Sequence, residues 1–324
     1  MSYLSETIPE ALDGQRVDRV VAMLCDCTRS AAATALLEHL VTLDGHAAAK
    51  ASTKVHAGQR IEVLQDPTAI AAPLEPCENV AVDVIYEDDD IIVVNKAPGV
   101  VVHPGAGTTE PTLVEGLLAR YGDLAGVGEA HRPGIVHRLD KGTSGLMVVA
   151  RTAQAYESLV SQLSVHDVHR RYEAVVWGHV ESPAGMIDAP IGRSRRNPLQ
   201  MTIQLHGKFA RTRYHTIEHF DDPAKLSLVE LELETGRTHQ IRVHLASIGH
   251  PVVGDEVYGP KRSSVKVSRP MLQARQLGFE HPGTGEYVEF EVGLEAEFAA
   301  LLEQLRAAKL ASQVAAPEES SGQD

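Results

Sequence analysis

Cysteine is scarce, with three in 324 residues: Cys25, Cys27 and Cys77. An odd count with one Cys-x-Cys pair provides no disulfide framework and no CxxC pair for zinc, so reduced, partly buried thiols are expected. The 16 histidines include no HExxH or similar ligand spacing. No apolar run approaches the roughly 18 residues a membrane span needs. Residues 1–14, MSYLSETIPEALDG, carry neither the basic start nor the apolar stretch of an export leader. These absences lead us to expect a soluble, cytoplasmic protein that does not engage a membrane. There is also no GxGxxG after a first strand and no GxxxxGK[ST], which argues against dinucleotide and nucleoside-triphosphate enzymes. Positive charge is in deficit, with a net charge of −14, which at first sight argues against a nucleic-acid partner.

The distribution of charge points the other way. Residues 131–275 hold 20 Lys and Arg against 14 Asp and Glu, whereas the rest of the chain holds 10 against 30. A basic region inside an acidic chain is what a local phosphate-contacting face produces, although scattered solvated arginines would give the same count. The length suits two domains, and 43% apolar residues are enough for a sizeable core.

Residues 12–70 read as a small module. Leu12, Val17, Val20, Val21 and Leu24 recur at helical spacing, and SAAATALLEHL forms a second helix capped by Thr28 or Ser30. The Asp44-Gly45 turn and the run from Arg60 to Leu64 indicate short strands. Residues 65–80, with three prolines and no periodicity, read as a linker, and residues 311–324 as a disordered tail. Between them, residues 81–310 form one large domain. Its strand-like runs are VDVIYE, IIVVNK, LMVVAR, YEAVVWG and SLVELELET; its helical stretches cover residues 152–164, 238–248 and 295–308. Without a regular strand–helix–strand repeat, the fold class is α+β with a mixed, largely antiparallel sheet.

The densest chemistry lies in HRPGIVHRLDKGTSGLMVVAR, residues 131–151. One short loop gathers His137, Arg138, Asp140, Lys141, Thr143 and Ser144 in front of an apolar strand, the kind of mounting that holds functional groups in place. Arg138 and Lys141 beside Asp140 are expected to keep it ionised, as a nucleophile or base requires. A structural ion-pair knot is the bland alternative. A second cluster, ETGRTHQIRVHLASIGHPVVGDEVYG (234–259), contains Arg237, Arg242, His239, His244 and His250. A helix over 238–248 would put Thr238 and Arg242 on one face, and the turn before it would offer N–H groups to a phosphate or carboxylate. Histidines 239 and 244 are badly spaced for a shared metal. In VHRRYEAVVWG, Tyr172 follows two arginines, a pattern suited to stacking on a base with cations on phosphate.

These segments closely resemble the RluA/RluD family of RNA pseudouridine synthases, from the N-terminal module to about residue 290. The motifs are VNKAPGVVVHPG (94–105), GIVHRLDKGTSGLMVVA (134–150), RRYEAVVWG (170–178), GRTHQIRVHLASIGHPVVGD (236–255) and MLQARQLGFEHP (271–282). The module resembles the S4-like RNA-binding domain through Arg29-Ser30, Val41-x-Leu43-Asp44-Gly45, Lys50 and Gly58-Gln59-Arg60-Ile61, and departs from it at His39-Leu40. The resemblance implies a catalytic Asp140, an active-site Tyr172 and Arg242 as basic partner of the aspartate. It implies substrate or RNA contacts for Arg138, with His137, Lys141, Thr143 and Arg237 as further candidates. It implies no cofactor and no metal, and an RNA partner, most specifically large-subunit (23S) ribosomal RNA or its assembly intermediates; we expect a monomer. Two positions depart from the family pattern. Gln273 stands where histidine is usual and is given no role; Arg170 replaces a lysine and keeps the charge.

Two other classes remain. A nucleic-acid glycosylase also places carboxylates at an anomeric carbon, but a glycosidase needs a second one, and the sequence around Asp140 supplies none. A non-catalytic RNA-binding ribosome-assembly factor suits the N-terminal module but not the HRLD loop.

Overall fold

The computed structural model describes residues 2–315, except 49, 71–73, 106–107, 195, 198–199 and 261–263. The N-terminal module consists of β1 (Leu4–Thr7), α1 (Val17–Leu24), α2 (Arg29–Leu37), β2 (Val41–Leu43), β3 (His46–Ala47) and β4 (Arg60–Val63). Thr28 caps α2 by accepting from the Ala31 N–H. The Asp44 carboxylate accepts from the Arg60 N–H at 2.7 Å and ties the β2–β3 turn to β4. The sheet order is β1-β4-β2-β3, so the module begins with a strand that precedes residue 12. Its core, from Ile8 to Val63, is its own and includes Cys25 and Cys27. A 3-10 turn, Pro67–Ile70, packs on α2, so the start of the proline-rich segment belongs to the module rather than to a free linker.

The larger unit contains β5 (Val84–Glu87), β6 (Ile91–Lys96), α3 (Leu113–Arg120), β7 (Ser144–Ala150), α4 (Ala153–Val165), β8 (His169–Trp177), β9 (Ala184–Asp188), β10 (Ile191–Arg193) and β11 (Met201–Ile203). It continues with β12 (Arg211–Phe220), β13 (Leu226–Leu233), α5 (Gln240–Ser247), β14 (Leu272–Glu280), β15 (Tyr287–Glu291) and α6 (Ala296–Ala315). One sheet runs β5-β6-β7-β14-β8-β13-β12-β9, with β15 on β14. Every pairing in it is antiparallel except β7 with β14. The fold is therefore α+β with a largely antiparallel sheet.

Three apolar clusters cover the faces of this sheet. One of them joins β6, β7, β8 and β14 to α3 and α5 and includes Leu139 and Tyr172. The β7–β14 contact is so close at Gly145 that a Cβ there would lie 2.0 Å from the Ala274 carbonyl oxygen, and its φ is +113°. Only glycine suits that position, which fixes where the loop before β7 leaves the sheet. Gln273 is buried; it donates to the Gly293 carbonyl and accepts from the Glu295 N–H, anchoring the approach to α6. The expected tail at 311 is corrected: α6 continues to Ala315, because the alanine-rich stretch 307–315 consists largely of helix formers. Residues 316–324 lie outside the described residues. Among the described residues no single helix is long and apolar enough to cross a membrane.

Candidate active site

The loop preceding β7 closes through a Thr143 N–H bond to the Asp140 carbonyl. Lys96, at the end of β6, holds it from below. Its Nζ is buried and donates to the carbonyls of Ala97 (2.9 Å), Val100 (2.8 Å) and Lys141 (3.4 Å). Burial lowers the Lys96 ammonium to about 7, with Asp140 acting in the opposite sense. The Gly99 N–H also donates to the Lys141 carbonyl, so two bonds fix the backbone beside Asp140.

Helix α5 delivers the partner. Its first turn is anchored by Gln240, which accepts from Thr235 Oγ1 and the Arg237 N–H and donates to the Arg211 carbonyl and Thr212 Oγ1. Arg242 then faces inward, 7% exposed. Its Nη1 lies 3.0 Å from Asp140 Oδ2, while Nε and Nη2 bind Asp255 at 2.7 and 2.9 Å. One guanidinium therefore bridges two carboxylates with three charge-assisted bonds. The Asp255 side chain is fully buried and also accepts from the Val257 and Tyr258 N–H groups. Burial alone would raise the Asp255 carboxyl; Arg242 and those N–H groups override it and hold it below the usual carboxylate range. The Tyr258 ring faces the Arg242 guanidinium at 5.1 Å, and its hydroxyl lies 2.8 Å from His239 Nδ1.

Asp140 opens onto a cavity of about 530 Å³. Five arginines line it, at positions 132, 138, 170, 237 and 242, and Asp140 is its one carboxylate among the described residues. Tyr172, on β8, lines the same cavity and is 5% exposed. Burial raises its hydroxyl above the ordinary tyrosine value, Arg170 pulls it down and Asp140 pushes it up. His137 and Thr143 line the cavity too. His137 Nε2 accepts from the Val148 N–H, so in its neutral form the ring carries its proton on Nδ1. Burial, reinforced by Arg170, lowers His137 to about 3.

The cations adjacent to Asp140 in the sequence do not hold it. Arg138 pairs with Asp26 of the N-terminal module at 2.8 Å, and Lys141 pairs with exposed Glu110 at 3.1 Å, away from the cavity. In a tight loop, neighbouring side chains diverge, and the partner arrives from α5. The turn before α5 also differs from expectation. The helix starts at Gln240, so Thr238 does not share a helical face with Arg242, and the Arg237 N–H is taken by Gln240 rather than free for a phosphate. Arg237 does reach the cavity rim, with its Nε on the Phe209 carbonyl. The three histidines separate: His239 bonds to Tyr258, His244 to Thr212 and the Ala189 carbonyl, and His250 to the Trp177 carbonyl. Among the described residues no group of three or more His, Cys, Asp or Glu is placed to hold a metal ion. Sequence reasoning missed Asp255, Lys96 and Tyr258. The signal for Lys96 was present, since it ends the apolar run IIVVNK on the same side of the strand as buried Ile92 and Val94.

The family model for RNA pseudouridylate synthase matches residues 90–247. The uncharacterized RNA pseudouridine synthase YlyB of Bacillus subtilis is 44% identical over 308 residues, covering 94% of this chain and 99% of that protein. The ribosomal large subunit pseudouridine synthase D of Vibrio cholerae is 43% identical over 303 residues, covering 89% and 90%. The structure of human RNA pseudouridylate synthase domain containing 1 superposes with a TM-score of 0.54 at 29% identity, over 72% of this chain and 98% of that one. The loop whose Asp140 is held by the buried Arg242, the arginine-lined cavity and these likenesses agree: the chain belongs to the family of RNA pseudouridine synthases.

Proposed function

We propose that this enzyme isomerises specific uridines of large-subunit (23S) ribosomal RNA, free or in an assembling subunit, with Asp140 as its catalytic carboxylate. The observation that carries the reading is Asp140 standing, among the described residues, as the one carboxylate in a cavity with five arginines, gripped by Arg242 and sharing that cavity with Tyr172. The choice of RNA is supported by relatives named ribosomal large subunit pseudouridine synthase D in Vibrio cholerae and Escherichia coli, the latter 40% identical over 317 residues.

The reaction breaks the bond from C1′ to N1, turns the uracil, and joins C5 to the same C1′. A stacked target must first leave the helix, at a cost of a few kcal/mol. Arg138 fills the vacated position or holds the RNA backbone, exchanging its Asp26 partner for RNA. Asp140 acts on the flipped uridine either by attack at C1′ or by abstraction of a sugar proton. Arg242 keeps it oriented, and Asp255 fixes Arg242. Tyr172 stacks on the base and assists the final loss of the C5 proton. His137 and Thr143 shape the cavity floor, Arg237 meets phosphate at its rim, and Lys141 contributes from outside. No electron or external group is exchanged, so the chemistry requires no cofactor and no metal. The N-terminal module is an S4-like RNA-binding domain, and the enzyme acts as a cytoplasmic monomer.

The test is pseudouridine mapping of ribosomal RNA from a strain without this gene, complemented with wild type or with Asp140→Asn. The amide is nearly isosteric but is neither nucleophile nor base. Sites that vanish in the deletion and return only with wild type are expected. Unchanged ribosomal RNA in the deletion strain refutes the choice of RNA, and full restoration by Asp140→Asn refutes the catalytic carboxylate.

A further inference from the structure

Among the described residues three arginines are more than nine-tenths buried: Arg170, Arg242 and Arg269. Two of them have carboxylates. Arg242 has Asp140 and Asp255, and Arg269 has Glu295 and Glu297. Arg170 has none within 4.0 Å among the described residues. Its Nη2 makes only long contacts of 3.4 Å with the Leu233 and Glu234 carbonyls, and its Nε has no partner. A guanidinium remains charged when buried, and burying a charge without its counter-ion is costly.

The fold nevertheless makes room for it. Arg170 lies two residues before Tyr172 on the buried face of β8. Gly236 opens the space above it, because a Cβ there would sit 2.8 Å from Arg170 Nη1. Both residues line the cavity that holds Asp140. His137 lines it too; its Nδ1 also has no partner, and its low proton affinity makes it a neutral donor rather than a second cation. The wall thus presents a buried cation and a neutral N–H donor, neither matched by a protein anion. Arg242 belongs to Asp140. The charge on Arg170 is sensed chiefly by Tyr172 and His137.

The chemistry supplies an anion for this corner. When the C1′–N1 bond breaks, its electron pair leaves with N1 and spreads onto O2 and O4 of the uracil, whether Asp140 has attacked C1′ or removed a sugar proton. When C5 then bonds to C1′ it uses ring electrons, and the C5 proton departs to a base, restoring a neutral ring. Between the two steps the base is a detached anion that must be held and turned. With the ring against Tyr172 and its sugar edge toward Asp140, the carbonyl oxygens face the other wall. We propose that Arg170 is the cation that receives the negative charge of the detached uracil, with His137 Nδ1–H as its neutral companion. This rests on the pseudouridine synthase reading centred on Asp140.

The test is a leaving-group comparison. Wild-type enzyme must first convert the uridine RNA to pseudouridine, which checks the underlying reading by itself. Single-turnover rates of glycosidic cleavage are then measured at saturating RNA for wild type, Arg170→Lys and Arg170→Gln, with uridine or 5-fluorouridine at the target. Fluorine withdraws electrons and makes N1 a better leaving group that needs less help. Arg170→Gln should lose about 10²–10³ in rate on uridine and recover most of that loss on 5-fluorouridine, with Arg170→Lys in between and RNA affinity little changed. An equal loss on both substrates overturns the proposal and leaves Arg170 a packing residue. Weaker RNA affinity at an unchanged saturated rate overturns it in favour of a phosphate partner. A structure of wild type with 5-fluorouridine RNA decides the matter even if both variants misfold. A uracil oxygen within about 3 Å of the guanidinium supports the assignment, and a phosphate or nothing there refutes it.

Discussion

Arg242 is where structure and chemistry are most tightly joined, so its replacement has a calculable pattern. Arg242→Ala removes three charge-assisted bonds and leaves two carboxylates without their shared cation, one of them fully buried. Breaking such a pair costs about 3–5 kcal/mol of stability. Asp140 also loses the donor that aims it, worth about 10²–10³ in rate by analogy with other preorganised electrostatic contacts. Arg242→Lys separates the two effects. One ammonium cannot copy the guanidinium fork. It should go to Asp255, the more deeply buried carboxylate, leaving Asp140 unheld. Lysine should therefore restore much of the stability while leaving the rate far below wild type. Asp255→Asn provides the converse. Its amide turns a donor toward Arg242 Nε or toward the backbone N–H groups, costing about 1.5–3 kcal/mol, while the Asp140 contact remains and the rate falls less than in Arg242→Ala. The assay is release of tritium from RNA carrying [5-³H]uridine under single-turnover conditions, with denaturant unfolding for stability. An Arg242→Ala enzyme within about tenfold of wild type, far from the loss expected of an electrostatic donor, refutes the reasoning.

Tyr172→Phe keeps a stacking face worth about 1–3 kcal/mol per base, and Tyr172→Leu discards it. RNA affinity should survive the first and fall in the second, and equal losses in a binding titration would show that the ring does not stack. Removing residues 1–70 should weaken RNA binding or site choice more than the saturated rate, because the loop, Arg242 and Tyr172 all lie beyond residue 90; a collapse of the saturated rate at unchanged affinity would show that the module helps to build the site. His103 and His137 are both lowered to about 3, chiefly by burial, whereas the unfolded chain protonates them near 6.5. The folded state then binds fewer protons between these values, so their contribution to stability is complete above pH 6.5 and is lost as pH falls toward 3. Unfolding midpoints should decline from pH 7 to pH 5. His137→Gln, whose amide oxygen can still accept from the Val148 N–H, should flatten that decline, and an unaltered slope would contradict a neutral buried His137.

How much of the molecule is legible in its sequence depends on the range of the interaction. Strands such as IIVVNK are written in a short run of β-branched residues, and the structure places β6 on those residues. Local rules also mark α3, whose capping box joins Thr112 to Glu115, but its eight residues offer only a short amphipathic signal. The far end of α6 reads as a tail because exposed Ala, Ser, Lys and Gln resemble one, while their propensity extends a helix already nucleated by Phe298, Leu301, Leu302 and Leu305. Charge pairing is legible only through family resemblance. Arg138 and Lys141 are next to Asp140 in sequence and bind elsewhere, while Arg242 reaches it from 102 positions away. Asp255 has no local signature at all. An aspartate between Gly254 and Glu256 is ordinary until α5 brings a guanidinium to it.

The same contrast between local and global explains how a chain of net charge −14 can carry an RNA site. At physiological salt, charges farther apart than about 8 Å are largely screened at the surface, so a phosphate at the cavity mouth senses its neighbours rather than the total. Those neighbours are arginines, two of them with removable partners. Arg132 leans on Glu129, which is 41% exposed, and Arg138 on Asp26, which is 48% exposed. An exposed ion pair contributes about 0–1 kcal/mol, little enough for a phosphate to replace it. Arg242, by contrast, is locked between Asp140 and fully buried Asp255 and is not available for exchange. The cavity therefore divides its cations by burial. On the proposed function, the arginines at the mouth trade their exposed partners for the RNA backbone, while Arg242 behind Asp140 stays in place through the reaction.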